Sequence, residues 1–497
     1  MKLSDLSPKQ WYDRLAAKAG RQREKALGWW QYMDLEQPLI YVARILAEQD
    51  DRFPPLLLPW PELVVETVVE RMKLEDFLLT NEESVDDLGK WWAANDMPTQ
   101  SPEAWEAAST GGEHFFMVGP DGPGDMPMLT TEYADQVACE LDPRTRQPIA
   151  GLKLWHEELS DSSQELNGAL YLPKWPGVTD RRFGRGMVHE FVNGELVASS
   201  DLGEWSATIA NDKSLPSVPF VPILTKPRRG EGRSDLFALK PLVDGANQFA
   251  TNMMAAGEHH AVSRKYAVGV SQKDFVDENG NQIPLWKVAM GDVWAVPHPK
   301  RDNRNDNPLP VQIGQFSASD LRNFHESLKV LAQFTASKYG MPPAMMGYSS
   351  DNPPSAESIM YSLERLILRT EAHHTWYGGS ARRAAQISWA IMDNDPQAIA
   401  GMTPKWKSAA MPTIASAMDA AVKGVQGGIF DAEEAWDILS FSPQRQKRLR
   451  ERMAGRQATF QRTALNLRNI DVGSAAGVDQ GAANGVGVGN GAAAVGA

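Results

Sequence analysis

A single cysteine, Cys139, stands among 497 residues. A lone thiol excludes an internal disulfide and any metal cage built from cysteines. Long apolar runs are also missing. The longest, such as Leu56 to Trp60, falls far short of a membrane span. The opening MKLSDLSPKQW lacks the apolar stretch of a signal peptide, so the chain is expected to stay in the cytoplasm where it is made. Cations are outnumbered, with 50 Lys and Arg against 63 Asp and Glu and a formal net charge of -13. That balance argues against a tight nucleic-acid clamp driven by counterion release. It leaves open a surface past which a polyanion slides, or acidity that serves only solubility. Nor is there a phosphate loop: Gly89-Lys90 runs into Trp91, and the glycines from Gly485 to Gly489 have no strand before them and no helix after them.

What remains is an ordinary globular composition at a length that suggests about three domains. Residues 1 to about 110 read as mostly helical. Pro8 to Gly20 carries Trp11, Leu15 and Ala19 at helical spacing, and Glu62 to Leu79 repeats Val64, Val68, Met72 and Leu78 near a 3.6 period. Asp86 to Asp96 continues the pattern, with Pro98 and Pro102 as punctuation. From His114 to Ser200 the period changes to that of strands: HFFMVG, EYADQVACEL, GLKLWHEEL, GALYLP and GMVHEFVNGELVAS. Asn193-Gly194 marks a two-residue hairpin and Asp142 to Arg146 another turn.

Ser234 then caps a helix whose apolar stripe runs from Leu236 to Met254, with Pro241 as a bend point. Short strand candidates follow (YAVGV, DVWAVP, PVQIGQF). A second helix reaches Tyr339. Prolines at 342, 343, 353 and 354 bound the next loop, and Ser355 caps a third helix. That helix is roughly 37 residues, about 55 Å, with Gly378-Gly379 as a kink point. Helical patterns return at Asp431 to Leu439 and Ser442 to Leu467. The tail from Gly473 is Gly, Ala and Val without period and reads as flexible.

Four features invite a functional reading, and each has a plainer one. His259-His260 and His373-His374 are adjacent pairs, which point about 100° apart on a helix, so neither pair chelates one metal. Lys226, Arg228, Arg229 and Arg233 cluster before a helix start, as an anion or DNA contact, a neighbour contact or a solvated turn. Arg445 to Arg456 is a second basic run, with Glu433, Glu434 and Asp437 nearby; DNA contact and intersubunit pairing both fit. Trp29-Trp30 and Trp91-Trp92 suit base stacking, or core packing.

The order of these parts carries more than any one of them. LPSVPFVPILTKPR followed by GEGRSDLFALKPLVDGANQFATNMM, with Leu236, Leu239, Leu242, Asp244 and Asn247, resembles the entry to the first stem helix of tailed-phage portal proteins, particularly those of actinobacteriophages. GALYLPKW resembles that family's wing strand, and YGMPPAMMGYSSDNPPSAESIMYSLERLI its tunnel loop and following helix.

The resemblance implies an α+β portal fold: a wing over 1-232, a stem helix over 233-262, a small α/β clip over 263-317 and a second stem helix over 318-339. A tunnel loop over 340-356, a long kinked helix over 357-399 returning to the wing, a helical crown over 400-470 and a tail over 471-497 complete it. It implies a ring, twelve-fold in virions, with double-stranded DNA passing non-specifically through the hole. Met345, Met346, Tyr348, Ser349, Ser350, Asp351 and Asn352 would be the DNA-facing tunnel loop. Asn279, Gly280, Asn281, Arg301 and Arg304 would lie in the clip, which docks the motor and neck. The implied partners are the terminase large subunit, the major capsid and scaffolding proteins and a head-tail adaptor. No membrane and no cofactor or metal enters, and no enzymatic role. The implied place is the capsid portal vertex, after assembly in the host cytoplasm. Another structural head or neck protein, or an enzyme of unrecognised type, is the competing reading.

Overall fold

The computed structural model describes residues 6–39, 55–119, 122–158, 164–172, 187–201, 218–261, 265–268, 312–315, 321–347, 355–392, 394–410, 414–429, 431–439, 441 and 445–456. They fall into two compact units, Met1–Met411 and Pro412–Ala497.

The first unit begins with α1 (Pro8–Met33), which runs past the expected stop at Gly20. Ser7 starts it with a reciprocal capping box to Gln10. One face of α1 (Trp11, Tyr12, Leu15, Ala19) is buried against Ala138, Ala150, Leu152, Leu170 and Phe191. Those residues belong to an antiparallel sheet of β4 (Val137–Leu141), β5 (Pro148–Glu158), β6 (Gln164–Leu172), β7 (Met187–Val192) and β8 (Glu195–Asp201), in that spatial order. The turn between β7 and β8 is Asn193-Gly194, at φ 49° and 82°. The single expected strand EYADQVACEL divides at Ala134: its first part is β3 (Met128–Tyr133), which pairs with β2 (Glu113–Gly119), and β2 pairs in turn with β9 (Phe220–Leu224).

The helical start departs from its periodicity in two places. The expected helix Glu62 to Leu79 stops early: α2 is Trp60–Val69, and Leu74–Leu78 is a strand, β1, paired with β12 (Thr403–Trp406). A pairing partner more than 300 residues away overrides local period, as tertiary context often does. After α3 (Asp86–Ala94), α4 (Met97–Gly111) contains both prolines expected to break it. Pro98 sits in the first turn, where no hydrogen bond is lost, and Pro102 lies inside the helix.

A 3₁₀ turn, Asp235–Ala238, leads into α5 (Lys240–Ala261), with Ser234 accepting from the Leu236 N–H at 3.0 Å. Pro241 is the second residue of α5 and bends nothing. β10 (Lys265–Val268) and β11 (Gln312–Gln315) form an antiparallel pair where YAVGV and PVQIGQF are expected; DVWAVP lies outside the described residues. α6 (Arg322–Tyr339) packs on α5, and α7 (Ala356–Ile391) runs helical through Gly378-Gly379. At Gly378 α7 approaches Trp406 closely, since a Cβ there would lie 3.1 Å from the Trp406 indole nitrogen.

The main core is aromatic. Trp105 stacks on Tyr377 at 5.2 Å and meets Phe116 edge-on at 5.7 Å, with Trp91, Trp92 and Phe77 beside them. Trp91-Trp92 is therefore core. Residues 403–406, expected in the crown, belong to the first unit through β1 and Trp406. The second unit holds α8 (Ile414–Gln426), α9 (Ala432–Ile438) and α10 (445–456). All described strand pairings are antiparallel, and the fold class is α+β.

Candidate functional site

The expected basic cluster sits between β9 and the turn that leads into α5. Arg228 and Glu231 exchange both backbone hydrogen bonds, at 2.8 and 3.1 Å. Arg229 and Gly230 turn between them at φ 56° and 86°. The loop is clamped to the end of α4. Arg233 N–H donates to Thr225 O at 2.7 Å, and Thr225 N–H to Gly112 O at 3.0 Å. A Cβ on Gly232 would lie 1.7 Å from Gly112 O, and Gly112 has φ 89°, so both positions require glycine.

The four cations of this loop separate by role. Lys226 reaches inward to pair with Asp235, whose side chain is fully buried. Arg233 lies over the Phe237 ring, 3.8 Å from its centroid. Arg228 and Arg229 are exposed at the turn. The inward pair is part of a larger junction. Asp235 Oδ2 meets Arg369 Nη2 at 3.1 Å and His373 Nε2 at 2.8 Å. Its backbone carbonyl accepts from Tyr339 OH at 2.7 Å. The Arg369 guanidinium lies over the Tyr339 ring at 4.8 Å, and His373 Nδ1 faces Arg369 O at 2.8 Å. One turn on, Tyr377 OH bonds to Ser109 Oγ at 2.9 Å and to Thr225 Oγ1.

Burial alone would raise the Asp235 carboxyl, but Arg369, His373 and Lys226 outweigh it and hold it well below its ordinary value. The same burial pushes the Tyr339 and Tyr377 hydroxyls up. Thus one ridge of α7, residues 369, 373 and 377, ties together the basic loop, the start of α5 and the end of α6. In sequence neither Asp235 nor His373 stands out for such a role, beyond the exclusion of the adjacent His pair as a metal chelate. The missed signal is polar residues repeating every fourth position on a helix with an apolar face. His374, the other member of the pair, stacks on Trp406 at 4.7 Å. No group of His, Cys, Asp and Glu able to hold a metal occurs among the described residues.

Asp244 and Asn247 also gain roles. Asp244 Oδ1 accepts from Tyr32 OH at 2.7 Å, and Asn247 Oδ1 from Leu58 N–H at 2.8 Å. α5 is therefore fastened to α1 and to the segment before α2.

At the expected tunnel loop, Gly340 ends α6 at φ 70°, tight against Arg365. Met346 is buried and Met345 packs against two core clusters. Both were expected to face DNA; a short 3₁₀ turn over Pro343–Met346 packs them with Tyr339 and Met341. Tyr348, Ser349, Ser350, Asp351 and Asn352 lie outside the described residues, as do Asn279, Gly280, Asn281, Arg301 and Arg304.

α5 and α6 carry large apolar side chains away from their own core. Phe249 is 38%, Val330 43% and Phe334 58% exposed. Tyr361 and Leu368 of α7 are exposed as well.

A helical pair, α5 and α6, fastened to a sheet-bearing body and followed by the long helix α7, keeps the order of parts that the sequence resemblance implies. Residues 55–457 match the family described as phage portal protein, SPP1 Gp6-like, and the chain belongs to that family. It is thus a phage portal protein, a structural component of the virion. The portal protein of Mycobacterium phage D29 is 25% identical over 399 residues, covering 77% of this chain and 76% of that one. The portal protein of Mycobacterium phage L5 is 25% identical over 408 residues, covering 79% and 77%. Among solved structures, chains from the virion of a native gene transfer agent particle (15% identity, TM-score 0.41) and from the neck of an empty gene transfer agent particle (14%, 0.42) each cover 80% of this chain and are matched over 99% of their own length. No described helix is long and apolar enough to cross a membrane.

Proposed function

We propose that this chain closes into a twelve-membered ring at one capsid vertex, with double-stranded DNA passing through the hole during packaging and ejection. The observation that carries the reading is the apolar surface of the stem helices, Phe249, Val330 and Phe334, which their own core leaves uncovered. Side-by-side stems would cover it through a heterologous contact, the kind that closes rings. Residues 1-232 then form the wing, 263-317 the clip that docks the terminase large subunit and later the head-tail adaptor, and the second unit the crown. Major capsid and scaffolding proteins meet the outer body, and assembly takes place in the host cytoplasm. The chain acts as a conduit and platform, without catalysis of its own. Arg228 and Arg229 are the loop cations free to meet DNA or a neighbouring subunit, since Lys226 and Arg233 are engaged within the chain.

The tunnel loop faces the DNA with Ser349, Ser350, Asp351 and Asn352. A ring repeats the Asp351 charge around the hole with no cation beside it. Such a surface repels phosphate weakly and offers no deep binding minimum, so DNA slides. Replacing Asp351→Lys is expected to leave rings intact and slow packaging, more so at low salt where attraction is least screened. Packaging at the normal rate in low salt by D351K rings contradicts this role for the loop.

A further inference from the structure

In a chain with a net charge of -13, α10 concentrates positive charge: Arg445, Lys447, Arg448, Arg450, Arg452 and Arg456 stand against Glu451 alone. Their spacing sorts them. Arg445, Arg448, Arg452 and Arg456 follow at steps of three, four and four, and at about 100° per residue they fall within one stripe roughly 80° wide. All four are exposed. Lys447 and Arg450 point to other sides of the helix, and Arg450 pairs with Glu433 at 3.0 Å. The helix is held by its other side, where Gln446 is buried and donates to Phe441 O at 3.1 Å. Arg445 is stacked over the Phe441 ring at 3.9 Å, which fixes the first member of the stripe.

We infer that this arginine stripe is a binding surface for the phosphate backbone of duplex DNA. Guanidinium groups present planar forks suited to phosphate oxygens. The stripe extends about 16 Å along the helix, long enough to follow successive phosphates. Among the described residues the aromatic ring at the stripe is Phe441, which Arg445 covers, so the stripe offers little platform for unstacked bases, and a duplex backbone suits it better than a splayed single strand. An acidic face of a second copy is the other partner such a stripe could meet. Against that, Glu433, an acidic residue that α10 meets within its own unit, is paired with Arg450, outside the stripe. The inference goes beyond the portal reading, which assigns no residue of the second unit to DNA, and it does not require the ring.

The test uses the full-length protein and a mixed-sequence DNA duplex, with affinity followed by fluorescence anisotropy from about 50 to about 200 mM salt. Two variants remove the same charge: R448Q/R452Q within the stripe and K447Q/R450Q outside it. The expected result is at least a roughly ten-fold loss for R448Q/R452Q and a salt slope shallower by about 1.8, the share of two phosphate contacts. K447Q/R450Q should stay within about three-fold of the parent. Equal losses in the two variants would mean that net charge, not the stripe, binds DNA, and would overturn the inference. So would absence of duplex binding by the parent protein at about 50 mM salt. Negative-stain images of each variant separate this from assembly: if R448Q/R452Q alone loses rings that the parent forms, the stripe is a contact between copies. The single variant R452Q, with circular dichroism as a folding check, repeats the comparison with the smallest perturbation.

Discussion

Asp235 is held in the interior by Arg369, His373 and Lys226, and it has no water to fall back on. Breaking a buried ionic group by removing one member strands the rest. Asp235→Asn should therefore destabilise the first unit by about 3–5 kcal/mol, measured by urea unfolding. Because the folded-state carboxyl is held below its ordinary value, its contribution is complete above that value and fades as pH falls below it. Acid unfolding of the parent should steepen below about pH 4, and the Asn variant should lack that component. His114 gives a second pH signature. It is buried edge-on to Tyr133 at 5.0 Å, neither ring nitrogen has a partner, and burial pushes its pKa down to about 3. The unfolded chain takes up a proton below about pH 6.5 and the folded chain does not, so stability should fall by about 1.4 kcal/mol per pH unit from there toward pH 3. His114→Leu should flatten that slope; an unchanged slope would show that other groups set it.

At the scale of elements, α5 and α6 are where subunit packing meets the proposed assembly. α5 and α6 bury Val243, Ala246, Ala332 and Ala336 between them, yet turn Phe249, Val330 and Phe334 outward. Val330→Asp with Phe334→Asp should leave the circular dichroism spectrum and thermal midpoint of the subunit nearly unchanged, because both side chains are already exposed. Sedimentation should then show subunits in place of rings. The same helices show what sequence reading can reach. Ser234 and Ser355 as caps, Asn193-Gly194 as a hairpin and the strands β5 to β8 were legible because their signals are local. The extra length of α1, the conversion of Leu74–Leu78 to a strand and the continuity of α4 through Pro102 were not. The strand depends on a partner remote in sequence, and α4 continues through Pro102 although an interior proline gives up a helical hydrogen bond, so packing around α4 overrides the local signal. The Asp235 junction was hidden for the same reason: its members come from residues 226, 235, 339, 369 and 373, which only the fold brings together.

For the whole molecule, the balance of charge and the division into two units suit a ring that guides DNA rather than gripping it. The acidic total keeps most of the surface from holding phosphate, and the stripe on α10 is a local exception. The claim on which the rest depends is assembly. Negative-stain electron microscopy of the purified full-length protein tests it most directly. The account predicts rings with an open centre and about twelve-fold symmetry, held through the stems. Folded monomers alone at micromolar concentration, or closed shells without a central hole, would contradict it.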